Sequence, residues 1–167
     1  DVLTYTATGM NSVFTMSTAG VLSGTPVNAD VGTYTIIVTA TDVAGVAVSD
    51  TFVLTVVNTN DAPTISSTAV LAATEDAGYT YTVTTSDVDT GDGITMAGTT
   101  VPSWLSFDVS TGVLAGTPLN ADVGDHAVVI TATDTAGAAV TDSFTITVAN
   151  TNDAPTISST AVLAATE

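Results

Sequence analysis

Residues Asn58–Glu75 (NTNDAPTISSTAVLAATE) recur without a change as Asn150–Glu167, an offset of 92 positions. A period of that size belongs to an array of whole domains rather than to a solenoid of short repeats. The internal segments follow the same period: SGTPVNADVGTY at Ser23–Tyr34 returns as AGTPLNADVGDH at Ala115–His126, and TATDVAG at Thr39–Gly45 as TATDTAG at Thr131–Gly137. Upstream the offset is 91, so that Asn11–Ser17 lines up with Pro102–Asp108. The repeat predicts three parts. Residues 1–60 are the later part of a first repeat lacking its first strands, 61–152 a complete second repeat, and 153–167 the first strand of a third. The expectation is a window from a longer array. Near-identical tandem domains suit a protein that must be long, not one built around a single active site.

Charge narrows the partners. The chain has no Lys or Arg against 17 Asp plus Glu, a formal charge of −17. Nothing can neutralise phosphate, which excludes nucleic acid, and attraction to an anionic membrane fails for the same reason. Apart from His126 no side chain can form an ion pair with these acids. A solvated acidic surface that aids solubility is the ordinary reading. Several of the acids cluster, however, and metal cations are the economical counter-charge. With no cysteine, disulfides and thiolate sites are impossible; with no Lys, so are Lys–Asn isopeptide cross-links. No apolar run approaches the ~20 residues needed to span a bilayer, so no membrane insertion is expected in this segment. A repeat of 92 residues can bury a modest core.

Thr, Val, Ala and Ile alternate with period two, the mark of half-buried strands. In Gly78–Ser86, Tyr79, Tyr81 and Val83 face one way and Thr80, Thr82 and Thr84 the other. Phe144, Ile146 and Val148 form a second apolar set, and Val128 and Ile130 alternate with Val129 and Thr131 as expected where both faces are partly covered. Asp-Thr-Gly-Asp-Gly, Ser-Thr-Gly and Thr-Ala-Gly supply turns. About seven strands are predicted in the full repeat, over 64–72, 79–86, 94–97, 104–108, 113–116, 126–134 and 138–149. Their number and length predict an all-β chain of tandem antiparallel Ig-like sandwiches. Trp104, whose counterpart is Val13, is expected in the core. Pro63 and Pro155 stiffen the junctions.

Acidic motifs recur around each junction: Asn58-Thr59-Asn60-Asp61-Ala62-Pro63, Glu75-Asp76, Asp87-Val88-Asp89-Thr90-Gly91-Asp92, and Asp134 in Ala132–Gly137. Side chains two apart in an extended segment point the same way, so Asp87 and Asp89 can share one cation. Asp and Gly are also plain turn formers, and the Asp-x-Asp-x-Gly-Asp motif alone admits that reading. An oxygen-rich donor set suits a hard cation with six to eight ligands; a single His and no Cys argue against zinc or copper.

At these residues the chain resembles a family, the cadherin-like repeats of large bacterial surface adhesins, in particular the dystroglycan-type cadherin-like class. The cadherin linker Asp-x-Asn-Asp-Asn-Ala-Pro compares with Asn58–Pro63, which lacks the second Asn and has Asn for the first Asp. The strand and turn Tyr-x-x-x-Val-x-Ala-x-Asp-x-x-Gly compares with Tyr34–Gly45 and His126–Gly137, and the Phe-to-Thr-Gly turn with Phe107–Gly112. The Leu-Asp-Arg-Glu stretch falls on Val27–Asp30 and Leu119–Asp122, where Asn replaces Asp and Asp replaces Glu. The resemblance implies Ca2+ between successive domains. At the first junction it implies ligands from Asp30 and Asn28, from Asn58, Asn60 (through its backbone carbonyl) and Asp61, and from Asp87, Asp89 and Asp134. At the second it implies Glu75, Asp122, Asn150, Asn152 and Asp153.

Three classes of function compete. Catalysis is disfavoured: His126 stands where the other repeat has Tyr34, and no nucleophile–base motif surrounds the many Ser and Thr. A calcium-stiffened extracellular spacer, secreted or on the cell surface, explains repetition, acidity and the junction motifs together. It would project a distal adhesive domain, with neighbouring repeats of the same polypeptide as partners. The alternative is a self-assembling fibre subunit. There the spare strand at Pro155–Ala165 would complete the truncated first repeat of another copy by strand exchange.

Overall fold

In the computed structural model, which describes residues 2–159 and 164, the chain divides into two units. The first is Asp1–Ala62 with the loop Asp87–Gly93, and the second is Pro63–Ser86 with Ile94–Glu167.

The first unit contains β1 (Thr4–Thr8), β2 (Phe14–Met16), β3 (Leu22–Gly24), β4 (Gly32–Thr41) and β5 (Ala47–Val56). An antiparallel sheet runs β1-β4-β5, and β2 pairs with β3. Alternation decides the faces: Ile36 is fully buried on β4 between exposed Thr35 and Ile37. Phe14 packs edge-on against Tyr34 at 6.0 Å. Asp42 ends β4 by accepting bonds from the N–H groups of Ala44 (2.9 Å) and Val46 (2.8 Å). Gly45 takes the left-handed conformation (φ 84°) that lets the chain return as β5.

The second unit contains β6 (Thr64–Ile65), β7 (Ala72–Thr74), β8 (Tyr79–Thr82), β9 (Thr85–Ser86), β10 (Thr95–Thr100), β11 (Leu105–Asp108), β12 (Val113–Gly116), β13 (Gly124–Thr133) and β14 (Ala139–Ala149). One sheet runs β10-β13-β14-β7, another β11-β12-β8, and β6 pairs with β9. Between the sheets Leu114, Val128, Ile130 and Ile146 are 0% exposed, with Tyr79, Tyr81, Val83 and Val148 buried beside them. Burying such a side chain is worth about 1.5–3 kcal/mol. The expected alternations of 79–83, 128–131 and 144–148 hold. Trp104 packs against this core half-buried, edge-on to Tyr79 (5.8 Å) and to His126 (5.8 Å).

The all-β, Ig-like sandwich class is as predicted, and three details differ. The strand expected over 64–72 is broken. Its first residues pair with β9, while the chain then crosses to lie parallel to β14 as β7 (Val148 opposite Ala73), so the sheet is not purely antiparallel. The strand expected over 79–86 is likewise interrupted at Val83–Thr84, where its neighbour changes: Val83 N–H bonds to Gly112 and Thr84 C=O to Ser66. Where a third repeat is expected to begin, residues 155–159 form no strand, and the rest of the expected 155–165 strand, Ala164 apart, lies outside the described residues. No helix among the described residues is long and apolar enough to cross a membrane.

Candidate metal-binding clusters

In the second unit the turn after β7 carries two acids. Ladder bonds hold it: Glu75 N–H reaches the Ala149 carbonyl at 2.9 Å and Asp76 N–H the Pro118 carbonyl at 2.9 Å. Asp76 adopts φ 62°, a left-handed conformation that Asp tolerates better than most residues. Glu75 is 2% exposed. Its Oε2 accepts the Thr151 N–H at 3.0 Å, and its backbone carbonyl accepts the Thr151 hydroxyl at 3.2 Å. Asp153 accepts the Asn120 side-chain amide at 3.1 Å. Carboxylate oxygens of Glu75, Asp76 and Asp153 all lie within 4.8 Å of one another. A buried carboxylate is costly without a partner charge, and with no Lys or Arg the sequence offers none.

The first unit has a matching arrangement. Asn28 occupies the position of Asn120, and its amide donates to Asp61 at 2.8 Å and to Asp89 at 3.1 Å. Asp61 N–H donates to Asp89 at 2.7 Å, and Asp89 N–H to Asp87 Oδ1 at 2.9 Å. Asp89 is 5% exposed, while Asp87 Oδ2 is buried with no hydrogen-bond partner among the described residues. Carboxylate oxygens of Asp87 and Asp92 lie within 4.8 Å of each other. Asn60 donates to the Asp61 carbonyl (3.1 Å) and Asn152 to the Asp153 carbonyl (3.4 Å). Asn150 donates to the Thr151 carbonyl (3.0 Å), and Asn58 and Asn150 are exposed.

Other acids named from sequence serve turns. Asp30 and Asp122 close the 3-10 turns Asn28–Asp30 and Asn120–Asp122, each accepting at 2.9 Å the N–H three residues back, from Val27 and Leu119. Asp30 also accepts the Asn11 amide. Asp134, 6% exposed, accepts the Ala138 N–H at 2.8 Å, as Asp42 does in its own hairpin. His126 does what Tyr34 does: its Nε2 bonds the Asp122 carbonyl at 2.6 Å where the Tyr34 hydroxyl bonds the Asp30 carbonyl at 2.7 Å. A carbonyl can only accept, so Nε2 carries the proton. At Asp108 the Ser110 hydroxyl (2.6 Å) and the N–H groups of Ser110 and Thr111 stabilise the carboxylate and lower its pKa to about 2.

Thus Glu75 meets Asp153, and Asp61 meets Asp89 beside Asp87. Asp30 and Asp122 join no group of three acids among the described residues. Asp76 and Asp92 were missed as candidates. Their signal was adjacency to Glu75 and to the Asp87–Asp89 pair, and what it could not convey was which way each turn aims the carboxylate.

Residues 1–57 and 62–149 each match the model of a family described as a putative Ig domain. The chain belongs to that family. It is 29% identical over 143 residues to the serine-rich adhesin for platelets of Staphylococcus aureus, a match covering 85% of this chain but 6% of the adhesin. Among solved structures, protocadherin gamma B2 extracellular cadherin domains 1–5 align over 91% of this chain and 33% of theirs, with TM-score 0.62 and 18% identity. The fold is therefore cadherin-like. An endo-fucoidan hydrolase of glycoside hydrolase family 107 aligns over 91% of this chain and 24% of its own at 26% identity, but with a TM-score of 0.47. At that score the likeness carries no argument about activity.

Proposed function

We propose that this tandem Ig-like chain is a calcium-binding, non-catalytic extracellular spacer within a large surface adhesin, divided into repeats at 1–60, 61–152 and 153–167. The carrying observation is the buried Glu75 beside Asp76 and Asp153 in a chain with no Lys or Arg to neutralise them. Every donor is an oxygen, which fits Ca2+, and the orphaned Asp87 Oδ2 is what a ligand looks like without its ion. The ligand sets would be Asp61, Asp87 and Asp89 with Asn58, Asn60, Asp30 and Asp134, and Glu75, Asp76 and Asp153 with Asn150, Asn152 and Asp122. Bound calcium supplies the missing positive charge. The residues supply the rest: the linker amides of Asn60 and Asn152 hold the backbone carbonyls in place, and Thr151 orients Glu75. Kinship with a staphylococcal adhesin supports the surface setting. In that role the ion restrains the linkers, so that consecutive repeats project a distal domain.

Extracellular calcium modules bind with dissociation constants of roughly 0.1–1 mM, and a site at hundredfold saturation adds about 2.7 kcal/mol. Thermal melts in calcium and in chelator should therefore differ by several degrees. Superimposable melts reject the reading.

A further inference from the structure

In the second unit an early strand and the last strand lie side by side. β7 and β14 run parallel, with Ala72, Ala73 and Thr74 opposite Thr147, Val148 and Ala149. Two backbone bonds extend the ladder: Thr147 N–H reaches the Leu71 carbonyl and Glu75 N–H the Ala149 carbonyl, both at 2.9 Å. Each end has a further latch. Just before β7, the Tyr79 hydroxyl donates to the Val70 carbonyl at 2.8 Å. Just after β14, Thr151 gives its N–H to the Glu75 carboxylate (3.0 Å) and its hydroxyl to the Glu75 carbonyl (3.2 Å). Upstream, β6 adds a shorter pairing with β9, Thr64–Ser86 and Ile65–Thr85.

Apolar burial contributes little to this attachment. β7 is Ala-Ala-Thr, and of its three side chains Ala73 is buried while Ala72 and Thr74 are exposed. Among the described residues β14 is the only strand that pairs with β7. Backbone hydrogen bonds therefore hold β7 in place. Ladder bonds run across the strands, slanted where the strands are parallel, so what they resist depends on the direction of the load.

We propose that β7 and β14 form a shear clamp by which the second unit resists tension applied along the chain. Tension draws β7 toward its own N-terminal end and β14 toward its own C-terminal end. Because the strands are parallel, the two pulls are opposed along one axis. They load the ladder bonds together instead of opening them one at a time from an end. Load that reaches the fold through the turn between β11 and β12 bypasses β7 and leaves the clamp unloaded. The inference goes beyond the calcium reading: it stands on strand direction and pairing, and it is tested without the ion.

The chain has no cysteine, so introduced pairs are unique attachment points for optical tweezers. In the full chain, Ala62→Cys with Ile157→Cys loads β7 against β14. Val109→Cys with Ile157→Cys pulls through the exposed turn between β11 and β12 and bypasses β7. At one fixed force in chelator, the first pair should survive longer than the second before the unit unfolds. Thr147→Pro deletes the N–H that Thr147 gives to Leu71. It should shorten the first pair's lifetime about fivefold, the effect of one backbone hydrogen bond, and leave the second pair's lifetime unchanged. Tyr79→Phe keeps the ring, loses the bond to Val70 and should act in the same direction, so it carries the test where the proline variant does not fold. Equal lifetimes for the two pairs would overturn the proposal. So would variants that shorten both lifetimes by the same factor, because general loss of stability does that without a clamp.

Discussion

At the residue scale, carboxylates of the same type do two different jobs. Asp30, Asp42, Asp122 and Asp134 each take a backbone N–H within a turn, so each has a structural role whatever else it binds. Among the described residues the Glu75 carboxylate has a single N–H partner, and it meets little solvent, at 2% exposure. Glu75→Gln keeps the shape but removes a buried charge. Calorimetry should show calcium affinity falling at least about tenfold, the loss of one charged ligand from a hard-ion site. Stability in chelator should stay equal or rise by about 1 kcal/mol, because an uncompensated buried charge is gone. Asp87→Ala or Asp89→Ala should likewise weaken calcium binding while circular dichroism keeps its strand signal; unchanged affinity in both would remove them from the ligand set. Asp108 gives a pH signature. Its folded pKa, about 2, lies below the ordinary 3.8 because Ser110 and Thr111 donate to the charged form. Its contribution is therefore complete above the ordinary value and is lost as pH falls through about 2. Carboxyl-carbon NMR should show that low midpoint, and Ser110→Ala should move it up.

At the element scale, close approach between strands leaves some positions no room for a side chain. A Cβ on Gly116 of β12 would lie 2.0 Å from the Trp104 carbonyl, beside the start of β11. Gly116→Ala must push β11 away from β12, and should cost about 1–3 kcal/mol, as overpacking typically does. Trp104, the single tryptophan, reports the second unit's melt directly by fluorescence. An unshifted melt would show that β11 gives way freely. The same scale explains the broken strands. Alternation predicts unbroken strands over 64–72 and 79–86, whereas the first pairs only at 64–65 and again from 72, and the second at 79–82 and 85–86, because a strand ends where its hydrogen-bond partner changes. That depends on residues 20–80 positions away, such as Gly112 for Val83 and Ala149 for Glu75. Period two carries no information about that distance.

At the scale of the whole molecule, −17 charges without a single Lys or Arg repel one another wherever they are not neutralised. On the proposed reading, calcium limits linker motion more than it stabilises each core. Small-angle scattering of a polypeptide with at least two complete repeats should give a narrower distance distribution in calcium than in chelator. The chelator effect should fade as salt shortens the Debye length from about 30 Å at 0.01 M to about 8 Å at 0.15 M. Identical distributions in both conditions would leave a Pro-stiffened linker as the better account.

The sequence by itself determined the period of its internal repetition, the strand alternation and the Ig-like sandwich class. These are local or compositional properties, and they survive any arrangement of the strands. It also marked the right stretches for the acidic clusters, because Asp, Glu and Asn recur there at domain period. Only the tertiary structure decided which carboxylates are turn caps and which converge. Asp30 and Asp122 face their own backbone, while Asp76, one residue past Glu75, turns through a left-handed φ into the cluster with Asp153. Convergence of side chains 77 positions apart is set by β7 crossing to lie beside β14, and no spacing in the sequence encodes that pairing.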